Sequence, residues 1–188
     1  MVLVVMGLPG VGKSSVVKAA MKKISSKITL INYGDIVAEI AKKNRDSIID
    51  LPVKEHLKLQ DAVVKKLSKI ANKPKTIVDT HAILRRKPLG YIAGLHPLFF
   101  QKIKIDGFIF IDAPSDQIIA RRISDKTRER IYLSKVEIDE YRLLSKVLIG
   151  SYAAKSGSPF YIIQNIDGKL DETSNDFKSI LHNIGWEK

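Results

Sequence analysis

At 188 residues, with 45% hydrophobic and 28% charged side chains, the chain has the size and apolar content of a single globular domain spanning residues 1–188. It contains no cysteine, which excludes a disulfide framework, thiolate metal sites and a cysteine nucleophile, and points to a reducing, cytoplasmic setting. Lys and Arg number 32 against 20 Asp and Glu, a formal charge of +12 that favours phosphate-rich partners: nucleotides in a site, or nonspecific attraction of nucleic acid to the surface. Many lysines fall in dispersed pairs, such as Lys22-Lys23 and Lys65-Lys66, which read as solvated helix faces.

In chain order, Val2 to Met6 is an apolar β-branched run that reads as a buried strand. It lacks the basic flank of a signal peptide, and no apolar stretch in the chain approaches the ~20 residues that span a bilayer, so no membrane role is expected. Gly7-Leu8-Pro9-Gly10-Val11-Gly12-Lys13-Ser14 follows and matches G-x-x-x-x-G-K-[ST] in full. The motif leaves a strand and opens a helix predicted over Lys13 to Ile24, the placement its chemistry needs. Glycines let backbone N–H groups turn inward on phosphate oxygens, where a Cβ would obstruct them. Lys13 is expected on the β- and γ-phosphates, the Ser14 hydroxyl on Mg²⁺, and Ser15 on the α-phosphate.

Beyond the motif, strands are predicted at Ile28 to Ile31, Thr76 to Thr80, Phe108 to Asp112 and Phe160 to Gln164. Between them lie helices at Val53 to Ala71, Ser115 to Ser124 and Val136 to Ala154, and Glu172 to Ile184 closes the chain. Asp50 is expected to cap the helix at Val53, with Pro52 in its first turn and Val53, Leu57, Val63, Val64, Leu67 and Ile70 on its apolar face. This alternation predicts an α/β fold with three layers, a five-stranded parallel sheet with helices on both faces. The polar segment Ser124 to Ser134, rich in charge, reads as a short mobile loop between two helices. Ile77-Val78-Asp79 ends a strand in a carboxylate that suits the Mg²⁺ water shell; Asp112, before Ala113-Pro114-Ser115, is the rival.

Taken together with the phosphate loop, Asn32-Tyr33-Gly34-Asp35, Val78-Asp79-Thr80-His81, Gly90-Tyr91 with Gly94-Leu95, Arg121-Arg122 to Arg130, and Gln164-Asn165 resemble the archaeal-type adenylate kinases, and the likeness runs from the first strand into the last helix. The resemblance implies a P-loop kinase core, Mg²⁺, and the reversible reaction of ATP with AMP to give two ADP. It implies an AMP-binding arm over about 33–71, carrying Gly34 and Asp35, and a lid over about 124–134. It sets Arg122 against the ATP adenine, Arg128 and Arg130 on the phosphates, Arg85 on the AMP phosphate, and Tyr91 and Gly94 along the AMP pocket. Asn165, with Ile166-Asp167-Gly168, becomes the adenine rim. A homo-oligomer, a trimer in this family, is implied as well. The chain departs from the family where Ile48-Ile49 and Lys146 stand at positions that often hold arginine, with Arg142 one turn earlier, and where Arg85-Arg86-Lys87-Pro88-Leu89 runs one residue long, which leaves open which arginine meets the AMP phosphate.

The arginines make physical sense for such a reaction. Phosphoryl transfer is catalysed by positioning and charge neutralisation, and planar guanidinium forks hold phosphate oxygens at two points. Two rival readings follow from other residues. A hydroxyl-bearing acceptor, as in shikimate-like kinases, would use Asp35 as a proton acceptor, whereas a nucleotide kinase would use it to cap the next helix. An RNA- or ribosome-associated ATPase would explain the charge, but the few aromatics show no spacing for stacked bases. The histidines, at 56, 81, 96 and 182, show no metal-ligand spacing; His81 follows Asp79-Thr80 and suits an orienting role, and Trp186 takes none.

Overall fold

A computed structural model describes every residue except 49, 72, 74, 87–89, 127–131 and 188, and the backbone alone at 45 and 46. In chain order the elements are β1 (Val2–Met6), α1 (Lys13–Met21), β2 (Thr29–Asn32), α2 (Tyr33–Ala41), α3 (Arg45–Ile48), α4 (Val53–Ile70) and β3 (Thr76–Asp79). They continue as β4 (Ile83–Arg86), β5 (Gly90–Ala93), α5 (Pro97–Lys102), β6 (Ile105–Asp112), α6 (Ser115–Ser124), α7 (Lys135–Ser156), β7 (Phe160–Gln164) and α8 (Leu170–Asn183).

Five strands form one parallel sheet in the order β2-β3-β1-β6-β7. β1 is central and wholly buried, which is why it reads as an unbroken apolar run rather than an alternating one. Chain direction across the sheet reverses at β1: the crossover to β2 goes one way and the later ones the other. Right-handed crossovers then put helices on both faces, with α1 packed on α8 and α7 packed on β6. The register sets Val5 beside Asp79 and Met6 beside Phe110, so the ends of β3 and β6 flank the exit of β1. A crevice at such a reversal is where ligands bind in open parallel sheets.

Several local expectations are corrected. Pro52, not Asp50, is the N-cap of α4, and no side chain caps that end. The buried face of α4 is His56, Gln60, Val63, Val64 and Leu67, whereas Val53 and Leu57 are exposed. Helical spacing groups all these positions loosely, and only the packing of α2 and α5 on α4 decides which stripe is covered. Asp35 lies inside the first turn of α2, whose N-cap is Asn32. The antiparallel hairpin β4-β5 and the short helix α5, which carry no strong periodic signal, are additions. The hairpin is held by Tyr141, whose hydroxyl donates to the Ile83 carbonyl at 3.0 Å, and by Tyr152, which donates to Ala82 O at 2.9 Å.

α7 begins with a capping box in which Ser134 Oγ accepts from the Glu137 amide and Glu137 accepts from the Ser134 amide. The chain end is tied down as well. Trp186 is buried, its indole N–H donating to Asp106 at 2.8 Å. Glu187 accepts hydrogen bonds from the amides and the Ser25 hydroxyl at the Ser25-Ser26 turn.

Candidate active site

The loop between β1 and α1 turns on two left-handed glycines, Gly10 at φ +99° and Gly12 at φ +81°, a conformation that other residues adopt only under strain. Gly12 is the N-cap of α1, and the first turn of that helix carries no acidic residue, so its positive end is left for an anion. From this turn Lys13 reaches across to the end of β3. It donates to the Asp79 carboxylate and, at 2.9 Å, to the Thr80 carbonyl. Asn32, at the end of β2, donates to the other Asp79 oxygen at 3.2 Å. His81 Nδ1 lies 2.7 Å from the Gly7 carbonyl, so the histidine expected to orient the site touches the first residue of the loop.

The far side of the loop is held by two residues that converge on the Val11 carbonyl. Asn165 Nδ2 donates to it at 2.7 Å and Arg121 Nη1 at 3.0 Å. Arg121 also binds the Asn165 carbonyl at 3.0 Å and Asp167 at 2.5 Å, so one guanidinium joins α6, the phosphate loop and the turn after β7. Its neighbour Arg122 lays its stem over Gly10 and donates to the Pro9 carbonyl at 3.3 Å. Sequence reasoning assigned a role to Arg122 and none to Arg121. Only the meeting of α6 with the loop from β7 shows which of the pair is the strap.

The rival carboxylate, Asp112, has no exposed side-chain surface and takes a two-pronged bond from Arg142, at 2.8 and 2.9 Å, together with Lys146 at 2.6 Å. Burial by itself would raise its pKa, but the bonds from Arg142 and Lys146 outweigh burial and hold it below the usual carboxylate range. It neither caps α6 nor lines the cleft, and both cations that stand near the family's missing arginine are committed to it.

A cleft of about 1100 Å³ opens over the loop. One wall carries Gly10, Gly12, Lys13, Ser14, Ser15 and Arg122; the opposite wall carries Gly34, Arg85 and Gly94, with Asp79 between them. Gly94 is where the chain passes closest to the β3 exit, since any Cβ there would collide with the His81 carbonyl. Arg85 pairs with Glu137 at 2.5 Å, linking the hairpin to the start of α7. Asp35 is exposed on α2 and Tyr91 donates to Glu140 at 2.6 Å; neither is on the cleft wall. Arg128 and Arg130 lie outside the described residues. Tyr33 of α2 and Arg86 of β4 also line the wall, as do His56 and Gln60, which carried no expected role because a buried polar stripe on α4 looks in sequence like any amphipathic helix.

A family model described as an AAA domain matches residues 6–139. The adenylate kinase of Methanocaldococcus jannaschii is 31% identical over 188 residues, covering 96% of this chain and 97% of its own. That of Methanopyrus kandleri is 33% identical over 97% of this chain and 98% of its own. The chain belongs to the adenylate kinase family. Membership makes it a phosphotransferase of the nucleoside monophosphate kinase type. Solved shikimate kinases from Bacteroides thetaiotaomicron (TM-score 0.59, 10% identity, 97% of this chain and 98% of that one) and Acinetobacter baumannii (TM-score 0.58, 14% identity, 97% and 93%) share the fold. No described helix is long and apolar enough to cross a membrane.

Proposed function

We propose that this chain transfers the γ-phosphoryl group of ATP to AMP, reversibly, giving two ADP. The observation that carries the reading is the single cleft of about 1100 Å³ in which the phosphate loop faces a second wall, a volume beyond what one drug-sized ligand needs. ATP takes the side of Gly7 to Ser15, with the Lys13 ammonium moving from Asp79 to the phosphates as they arrive. Arg122 and Asn165 take the adenine end of that side. AMP takes the arm side, about 33–71, with Arg85 on its phosphate and Gly34 and Gly94 shaping the pocket, while Asp35 and Tyr91, expected there from the family likeness, stand off the cleft wall. Arg128 and Arg130, in the lid of about 124–134, close on the transferring group. An ionised acceptor phosphate needs no general base, so the protein's work is alignment and neutralisation of roughly six negative charges.

The residues present suit Mg²⁺. The Ser14 hydroxyl and the Asp79 carboxylate share the cleft, and oxygen donors of this kind, completed by water and phosphate, are what Mg²⁺ prefers. No group of three or more His, Cys, Asp or Glu among the described residues forms a cage of its own. Ser14 would hold the ion directly and Asp79 through water, and when bound it would neutralise charge between the β- and γ-phosphates. We place the reaction in the cytoplasm and the chain in a homo-oligomer, a trimer by family likeness, with its +12 charge attracting nucleic acid only nonspecifically.

The hydroxyl-acceptor reading loses support because Asp35, its proton acceptor, is off the cleft wall. A panel assay separates the two: ATP with AMP, CMP, UMP, dAMP and small hydroxy acids, each with and without Mg²⁺. Fast ADP formation with AMP and Mg²⁺ supports the proposal. Turnover of a hydroxy acid in preference to every monophosphate would overturn it.

A further inference from the structure

Three residues on the arm-side wall bury polar atoms that have no hydrogen-bond partner among the described residues: the Tyr33 hydroxyl, both ring nitrogens of His56, and Nη1 of Arg86. Each such atom destabilises the fold if it stays unpaired, so polar side chains are seldom buried this way without a ligand or water to meet them. Three on one wall of a substrate cleft point to a ligand.

The geometry says what kind. β4 sends neighbouring side chains to opposite faces, so Arg85 goes to Glu137 on α7 while Arg86 goes toward α4. There Nη2 of Arg86 is pinned on the Leu51 carbonyl, which leaves Nη1 directed along the wall beside His56. His56 is 3% exposed and lies one helical turn before Gln60, itself anchored to the Ala93 carbonyl at 3.0 Å. Burial first, and the Arg86 charge second, push the His56 imidazole below its ordinary range, against a smaller pull from the nearby Ile48 backbone. A neutral imidazole offers one donor and one acceptor, whereas guanidinium offers donors alone. A phosphate would call for more positive charge than this pair supplies and has no protons to give a neutral ring nitrogen. A nucleobase edge fits both members.

We infer that His56 and Arg86 form the base-reading end of the acceptor subsite, Arg86 donating to an unprotonated ring nitrogen of adenine and His56 accepting from the exocyclic amino group. The inference rests on the AMP-acceptor reading above. Arg86 is the discriminating member: hypoxanthine carries a proton on the ring nitrogen that would face it, setting donor against donor, and His56 cannot relieve this by changing tautomer.

The test compares AMP and IMP as acceptors in wild type, Arg86→Met and His56→Leu. The wild type should prefer AMP. Arg86→Met should lose about tenfold or more of the AMP-over-IMP ratio in kcat/KM, through the KM for AMP, whereas His56→Leu, whose ring can suit either base by tautomer, should raise the KM for both by about tenfold; in both variants the KM for ATP stays within about twofold of wild type. Equal losses for AMP and IMP in Arg86→Met would make that residue a phosphate or ribose anchor and overturn the inference, and so would an unchanged KM for AMP in His56→Leu. Should a variant fail to fold, the wild type alone still decides. An AMP analogue with carbon in place of the purine N1 should turn over at least tenfold less efficiently than AMP, and equal use of the two would also overturn the inference. A wild type that leaves AMP unphosphorylated would instead remove the reading on which the inference rests.

Discussion

The Lys13 ammonium lies on the Asp79 carboxylate, and this contact joins the start of α1 to the end of β3 across the mouth of the phosphate loop. Asn32 holds the second Asp79 oxygen, so the carboxylate is fixed from both sides while Lys13 is placed to leave it for an arriving phosphate. Lys13→Ala should therefore lower kcat by roughly 10²–10³, the usual loss when a donor aimed at developing charge is removed. ADP formation from ATP and AMP gives the rate, and an unchanged circular dichroism spectrum shows the fold is intact. A rate near wild type would refute the role of the loop.

Arg121 does not touch the cation end of the site, yet it holds the Val11 carbonyl, the Asn165 carbonyl and Asp167 together. Arg121→Ala should loosen the far side of the loop and raise the KM for ATP roughly tenfold, the effect of one or two charged hydrogen bonds, with little change in the KM for AMP. Initial rates with each substrate varied in turn separate the two constants. Equal changes in both would argue against a strap confined to the ATP side.

Asp112→Ala leaves Arg142 and Lys146 facing each other without their shared carboxylate. Breaking a dry buried pair costs about 3–5 kcal/mol, but these cations keep some contact with water, so about 2–3 kcal/mol is expected here. For a chain of this size that lowers Tm by roughly 4–10 °C, measurable by calorimetry. Because the folded pKa of Asp112 is depressed, its contribution is present above the usual carboxylate pKa and is lost as pH falls through the depressed value. The urea midpoints of wild type and Asp112→Asn should accordingly converge in acid.

Glu187 is held down from 4.5 to about 2, first by the Ser25 amide, with the Ser25 and Ser26 hydroxyls and the Ser26 amide adding to it. Burial opposes them without prevailing. Its stabilising effect is complete above pH 4.5 and drains away as pH falls toward 2. Wild type should be more stable than Glu187→Gln at pH 7, with the gap closing across that window. A gap that stayed constant down to pH 2 would show that Glu187 is not the linked group.

Trp186 is the one tryptophan in the chain and is 1% exposed. Its fluorescence should be blue-shifted in the native protein and move red when the chain end detaches. Trp186→Ala should cost about 3–5 kcal/mol, or roughly 10 °C in Tm, through the cavity it leaves.

Much of this architecture was legible before any coordinates. β1, β7 and α6 fall on their predicted bounds, because the buried β1 and the partly exposed edge strand β7 are both short apolar runs and a surface helix shows its period. The hairpin β4-β5 was not legible. Its strands hold two arginines and a tyrosine, and they exist because Tyr141 and Tyr152 of α7 hold them against the sheet. Asp50 has the composition of a cap, but Pro52 fixes the backbone where the helix begins.

The phosphate loop was readable from local order alone, since glycine spacing, a following lysine and serine, and a preceding strand are all that its turn requires. Local order likewise placed Asp79 at a strand end and the arginines near a lid. Which carboxylate meets Lys13, which arginine straps the loop and which polar side chains are buried unpaired on the arm side depend on residues 30 to 154 positions apart. Those pairings are set by the register β1 shares with β3 and β6 and by the docking of α6 and α7. No local pattern encodes them, because they are decided where separate elements meet.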